Sequence, residues 1–175
     1  GTQVLAYCLM PNHVHLILVP ADEFGLRDAP GEAHRRYTRM VNFREGWKGH
    51  LWQERFHSFV MDEQHLLAAA RYVERNPVGA RLCGRAQDWA WSSAAAHLAG
   101  RDDALVAVRP MLDLVADWAA FIDEGEDERF NGLLRGHAST GRPLGSDGFV
   151  ESLERKKPGP KPQERDRYTG DLFGG

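Results

Sequence analysis

The reading of this chain turns on Leu9-Met10-Pro11-Asn12-His13-Val14-His15-Leu16-Ile17-Leu18-Val19. Read as a strand, its alternation sends His13 and His15 to one face and Val14 to the other. The Pro11-Asn12 pair just ahead is a turn signal. Two imidazoles two residues apart on a strand can grip one metal ion side by side. A pair of partly exposed strand histidines with no shared ligand has the same spacing, and two ligands do not make a metal site. A third ligand has to come from elsewhere in the chain.

Upstream, Thr2 to Cys8 is already in apolar, strand-like register. Residues 4–8 and 13–19 are therefore either one long strand interrupted near Pro11 or a hairpin about Met10-Pro11-Asn12. The chain opens without an initiator Met inside that register, so a fragment is expected. Downstream, residues 21–33 read as a loop or short helix. From Glu32 to Phe43, Ala33, Tyr37, Met40 and Val41 recur at helical spacing with Arg35, Arg36 and Arg39 on other faces, and Gly46 and Gly49 end that helix. Leu51 to Met61 is rich in aromatics and roughly alternating, which predicts a further strand.

Asp62 is a good N-cap for a helix from Glu63 to about Asn76, with an apolar face of Leu66, Leu67, Ala70 and Val73. Tyr72 and Asn76, four residues apart, lie together well round from the centre of that stripe. Pro77 disfavours helical geometry at Asn76, so the pair is expected on a fraying last turn. Gln87 to Ser93 begins another helix through about Leu98, and Gly100-Arg101-Asp102-Asp103 breaks it. Residues 110–134 read as two acidic helical segments with Leu112, Val115, Trp118, Phe121 and Ile122 as their apolar face. His137 to Gly145 reads as a linker, followed by a short helix from Asp147 to Lys157. The Pro/Gly/Lys stretch Lys157 to Pro162 is expected to be disordered alone. The organisation expected is a domain over 1–100, an acidic helical extension over 101–135, and a linker, helix and basic tail over 136–175.

With 42% hydrophobic and 27% charged residues among 175, the composition is that of a soluble globular protein. No apolar run approaches the roughly 20 residues of a membrane span, and no signal-peptide pattern opens the chain. Cys8 and Cys83 read as buried thiols of a reducing compartment, so a cytoplasmic location is expected. The net charge of −3 excludes a uniformly basic DNA-coating protein. Its distribution is uneven. Residues 34–58 carry six Lys and Arg against two acids, whereas 101–131 carry nine acids against three Arg. A basic patch on an acidic protein suits a polyanion, and a solvated helix face has the same look.

The chemistry follows from the residues. His13 and His15 offer neutral nitrogens and Asn76 an amide oxygen, a donor set for a divalent ion that must still hold a phosphate oxygen. Tyr72, one turn before Asn76, would sit beside that ion. A tyrosine hydroxyl with pKa about 10 is a poor nucleophile without a metal or base to help it.

These stretches resemble a known family. Met10-Pro11-Asn12-His13-Val14-His15-Leu16-Ile17 is similar to the His-hydrophobe-His motif of HUH tyrosine transposases acting on single-stranded DNA. Arg71-Tyr72-Val73-Glu74-Arg75-Asn76-Pro77-Val78 resembles their catalytic-tyrosine helix in its REP-associated form. Leu51-Trp52-Gln53-Glu54-Arg55-Phe56, Trp89-Ala90-Trp91-Ser92-Ser93 and Gly141-Arg142-Pro143-Leu144-Gly145-Ser146 are similar to three further blocks, in family order. The resemblance implies an α+β, ferredoxin-like fold with an antiparallel sheet and packed helices. It implies Tyr72 as nucleophile of a 5′-phosphotyrosine link, and Mg²⁺ or Mn²⁺ held by His13, His15 and Asn76. The implied partner is single-stranded DNA folded into REP-like hairpins, with the protein nucleoid-associated when bound to it. Arg35, Arg36, Arg39, Arg55 and Arg75 are candidate DNA contacts.

Two departures stand out. The family's usual first strand, with its His-Val-Thr-x-Arg segment, and a helix are missing ahead of residue 1, so an uncovered sheet edge is expected. Its usual Asn-Pro-Val-Arg-Ala-Gly is here Asn76-Pro77-Val78-Gly79-Ala80-Arg81. The alternatives are a catalytically inactive hairpin-binding remnant and an unrelated His-ligated metal hydrolase in which Tyr72 is dispensable. Monomer and dimer both stay open.

Overall fold

The computed structural model describes residues 1–155 apart from Glu126. Two compact units divide the chain, Gly1–Gly145 and Ser146–Gly175. The first opens with strands β1 (Gln3–Leu9) and β2 (Val14–Val19), paired antiparallel about the Pro11-Asn12 turn. The hairpin alternative is thus the one adopted, closed by the Met10 amide on the His13 carbonyl at 2.9 Å. Register slips by one residue between Val4 and Ala6, a bulge that strengthens the local twist.

β1 is buried along Leu5-Ala6-Tyr7-Cys8 without alternation, as a strand covered on both faces must be. Leu5, Ala6 and Cys8 join the main core, while Tyr7 packs with Val106, Val108 and Ala96. The edge of β1 away from β2 is also met, by isolated bridges from Cys8 to Ser92 and from Val4 to Val106. The expected bare edge is therefore not on this side. Among the described residues β2 carries no strand on its outer side.

The expected strand over 51–61 does not form: residues 51–60 are irregular, and only Met61 makes an isolated bridge, to Leu144. Its aromatics serve packing instead of alternation. Trp52 stacks on His34 with ring centroids 4.0 Å apart. After a π-helical turn (Arg27–Gly31), α1 spans Glu32–Glu45 and stops at Gly46, whose left-handed φ of 67° closes the helix.

α2 (Glu63–Gly79) is the central helix, and it lies against both strands. Asp62 caps it as expected, its carboxylate accepting from the His65 amide at 3.2 Å. The helix does not fray at Asn76. Pro77 sits inside it, buried, and two more residues remain helical. A preceding-residue preference is weak against a buried face that continues past the proline.

A 3₁₀ turn (Ala86–Asp88) and α3 (Ala94–Ala99) follow, so Trp89 to Ser93 is loop where a helix start was expected. The cause lies in what that loop holds: the Leu9 amide donates to the Trp91 carbonyl at 2.8 Å and the Ser93 amide to the Tyr7 carbonyl at 3.0 Å. Those bonds extend the sheet and cannot be made from a helix. Then come α4 (Arg109–Leu112), α5 (Trp118–Asp123) and α6 (Glu128–Thr140). Met111, Trp118, Phe121 and Leu134 of these helices share one core with Leu5, Ala69, Ala70 and Val73.

α6 overruns the expected linker through Thr140 and ends on left-handed Gly141. Beyond it Leu144 is buried, its amide on the Val60 carbonyl at 2.8 Å and its own carbonyl taken by the Asp62 amide at 3.0 Å. The second unit is described as α7 (Asp147–Arg155). The Lys157 to Pro162 stretch lies outside the described residues. The architecture is α+β: a two-stranded antiparallel sheet with seven α-helices among the described residues.

Candidate active site

The hairpin and α2 bring the two halves of the expected site together. His13 and His15 meet edge to face, with Nε2 to Nε2 at 3.0 Å. His15 in turn meets Tyr72 edge to face, ring centroids 5.6 Å apart. Burial first, and then the neighbouring His13, push the His15 imidazole down to about 4, so it is neutral at pH 7. A neutral ring keeps the lone pair a metal needs. Asn76 follows Tyr72 by one turn of α2, half-buried like it.

The donor geometry fits a shared ion. Two ligands at right angles on bonds of about 2.1 Å are about 3.0 Å apart, the spacing of these two nitrogens. Sequence reasoning missed the residue that aims one of them. The His13 Nδ1 lies 2.7 Å from the Asn12 Oδ1. Donation there places the proton on Nδ1 and leaves Nε2 bearing the lone pair, as a partner beyond the ligand shell does in metal sites. Asn12 reads in sequence only as a turn residue. Among the described residues no group of three or more His, Cys, Asp or Glu is arranged to hold a metal. A site here would rest on the histidine pair and a neutral oxygen such as that of Asn76.

Beside Tyr72 opens a cavity of about 230 Å³ lined by Arg71, Phe130 and Asn131 among others. Arg71 pairs with Glu124 at 2.6 Å and lies over the Phe121 ring at 4.5 Å. Of the five arginines expected to touch DNA, Arg35 and Arg36 share Glu32, each with its Nε 2.7 Å from that carboxylate. Together they hold the Glu32 carboxyl down to about 2. Arg39 lines an open surface hollow with Arg36 and Phe43. Arg55 is exposed on the rim of a larger cavity beside Trp52. Arg75 turns inward, its NH1 on the Ile122 carbonyl at 2.9 Å, and so ties α2 to α5.

The opposite face of α2 holds a second group that sequence reasoning missed. Glu74 is fully buried. Its Oε1 accepts from the Ser93 hydroxyl at 2.5 Å and from His97 Nδ1 at 2.6 Å, and its Oε2 from Trp118 Nε1 at 3.0 Å. Ser93 also accepts the Tyr7 amide at 3.0 Å, and His97 stacks on Trp118 with centroids 4.5 Å apart. One carboxylate thus joins α2 to β1, α3 and α5, two positions along the helix from Tyr72. The signal was positional: Glu74 falls four after Ala70 and three before Pro77, on the buried stripe, and only its charge argued for the surface.

The hairpin thus presents a histidine pair to a tyrosine on the adjoining helix. Residues 1–76 match the family described as Transposase IS200 like, a span that ends on Asn76 and takes in His13, His15 and Tyr72. That match likens the first 76 of the 175 residues to transposases. No curated protein and no solved structure matches the chain. No described helix is long and apolar enough to cross a membrane.

Proposed function

We propose that this chain is a metal-dependent transposase of the REP-associated tyrosine type that cleaves and rejoins single-stranded DNA beside hairpins. The observation that carries the reading is the contact of Tyr72 with His15, which itself meets His13 at 3.0 Å through the Nε2 atoms. In the reaction the Tyr72 phenolic oxygen forms a bond to the scissile phosphorus and the bond from phosphorus to the 3′ oxygen breaks. The phenolic proton is lost and the departing oxygen gains one, leaving a 5′-phosphotyrosine and a free 3′-hydroxyl. Attack by a 3′-hydroxyl on that ester rejoins a strand and restores the phenol.

His13, His15 and Asn76 would hold Mg²⁺ or Mn²⁺, which supplies charge stabilisation at the phosphate oxygens. The Tyr72 ring lies against His15, so a phosphate held by the pair would come close to it. Arg35, Arg36, Arg39 and Arg55 stand where backbone phosphates can meet them, with Glu32 the acid that the first two would leave. Incubation with hairpin single-stranded DNA and Mn²⁺ tests the reading. The expected result is cleavage with a covalent protein–DNA adduct, both abolished by Tyr72→Phe. Cleavage that survives Tyr72→Phe overturns the tyrosine mechanism, and hairpin binding with no cleavage marks a non-catalytic remnant.

A further inference from the structure

The lobe from Arg27 to Phe56 supplies no nucleophile or metal-holding residue to the reading above, yet it contains a cavity of about 700 Å³. Its wall is built around one indole. Trp52 stacks on His34 at 4.0 Å and 17°, and its Nε1 donates to the His34 carbonyl at 3.3 Å. Phe56 meets the His34 ring edge to face at 6.2 Å. The indole is thus locked, with its polar edge already satisfied, and offers an aromatic surface and not a hydrogen-bond code. Burial pushes the His34 imidazole down, so it backs the indole as a neutral ring. Two cations line the cavity: Arg27, paired with Asp28 at 2.9 Å, and Arg55. Glu54 lines the cavity as well, and its carboxylate contacts the His57 Nε2 at 3.0 Å.

An aromatic platform flanked by arginine is what sequence-tolerant binding of single-stranded nucleic acid uses, with bases on the rings and phosphates on the cations. A protein partner would want a larger apolar surface and fewer cations. We infer that the Trp52–His34 cavity is a stacking site for an unpaired nucleobase, with Arg55 at the phosphate beside it. This inference rests on the single-stranded-DNA reading above and adds to it a site remote from the histidine pair in sequence and separate from it in residues.

The test is binding of a short fluorescein-labelled oligothymidine, followed by anisotropy in a Tyr72→Phe background at low salt. Trp52→Ala is expected to weaken binding about tenfold or more, Trp52→Phe to recover most of it, and a duplex of equal length to bind all three alike. Arg55→Gln is expected to lower the salt slope by about one. Oligothymidine binding by folded Trp52→Ala within about twofold of its parent overturns the site. Should Trp52→Ala not fold, photocrosslinking of iododeoxyuridine oligonucleotide to the unmutated chain decides. An adduct on the peptide carrying Trp52 and Phe56 supports the site, and adducts confined to other peptides overturn it. The two readings fail separately: loss of the Trp52 effect with the tyrosine adduct intact removes only the stacking site, and the reverse removes only the tyrosine chemistry.

Discussion

The two faces of α2 treat polar groups in opposite ways. On the inner face Glu74 is fully buried and accepts three hydrogen bonds, from Ser93, His97 and Trp118. On the outer face Tyr72 and Asn76 are half-buried, with Tyr72 against His15, and among the described residues the histidine pair makes its side-chain polar contacts with Asn12 and with itself, at 3.0 Å. The inner face is expensive to disturb, because each donor there would be left in a dry interior. The outer face is open to water and can exchange its contacts for a ligand. One helix therefore carries an anchor and the proposed nucleophile two residues apart, and the anchor fixes the helix from which Tyr72 projects.

The largest expected effect would break that contrast if it failed. Glu74→Ala leaves the Ser93 hydroxyl, His97 Nδ1 and Trp118 Nε1 without their acceptor, and should lower unfolding free energy by about 3–5 kcal/mol in urea titration. A loss no larger than that of a surface substitution would show that the network anchors nothing. The mirror experiment is His15→Ala, on the outer face. It should change stability by only about 1 kcal/mol yet weaken Mn²⁺ binding by tenfold or more in calorimetric titration, about 1.4 kcal/mol. Equal losses of stability from both substitutions would erase the distinction.

Much of this contrast was legible in the sequence. The hairpin with His13 beside His15 was legible because a turn signal and a period-two alternation are local properties, and the placing of Tyr72 and Asn76 on one helix because helical spacing is too. Glu74 was not, since nothing local tells a carboxylate that it will meet Ser93, His97 and Trp118 from 19, 23 and 44 residues away. The same limit applies to residues 51–61, where an alternating aromatic pattern is spent on a stack with His34. It applies also to Trp89–Ser93, whose backbone is claimed by β1. Patterns report which residues want burial; partners far along the chain decide in what backbone they are buried.

The inner side also holds an acid-sensitive tie. Tyr7 donates to Asp103 at 2.7 Å, and Asp103 accepts the Leu105 and Val106 amides, each at 2.7 Å. Burial alone would raise the Asp103 carboxyl, but these three bonds outweigh it and the net shift is downward. A depressed carboxyl stabilises the fold above its unfolded value of about 3.9 and gives that up as pH falls through the folded value. Asp103→Asn should therefore cost about 1 kcal/mol near neutral pH, given its exposure, and flatten the acid limb of the stability profile below about pH 4. An unchanged acid limb would show that this tie carries none of the acid sensitivity.

The smallest effect is expected at the end of α2, where the chain departs from the Asn-Pro-Val-Arg-Ala-Gly pattern. The Leu82 amide donates to the Pro77 carbonyl at 2.8 Å and the Arg81 amide to the Val78 carbonyl at 2.9 Å, the paired bonds of a Schellman cap. That cap puts its C′ residue in the left-handed region, and here the residue is Arg81, with φ 59°. Glycine takes this conformation without a Cβ penalty, whereas Gly79 spends its freedom inside the last helical turn, where alanine is better by about 0.5–1 kcal/mol. The exchange of the two residues is thus unfavourable at both places. Arg81→Gly should stabilise by about 0.5–1 kcal/mol, Gly79→Ala by a similar amount, and the two together nearly additively in thermal melts. Because the cap fixes the C-terminal end of the helix as Glu74 fixes its middle, the double variant should rescue part of the stability lost in Glu74→Ala. Rescue of stability without any change in Mn²⁺ affinity would assign the cap to the anchoring side of α2 alone.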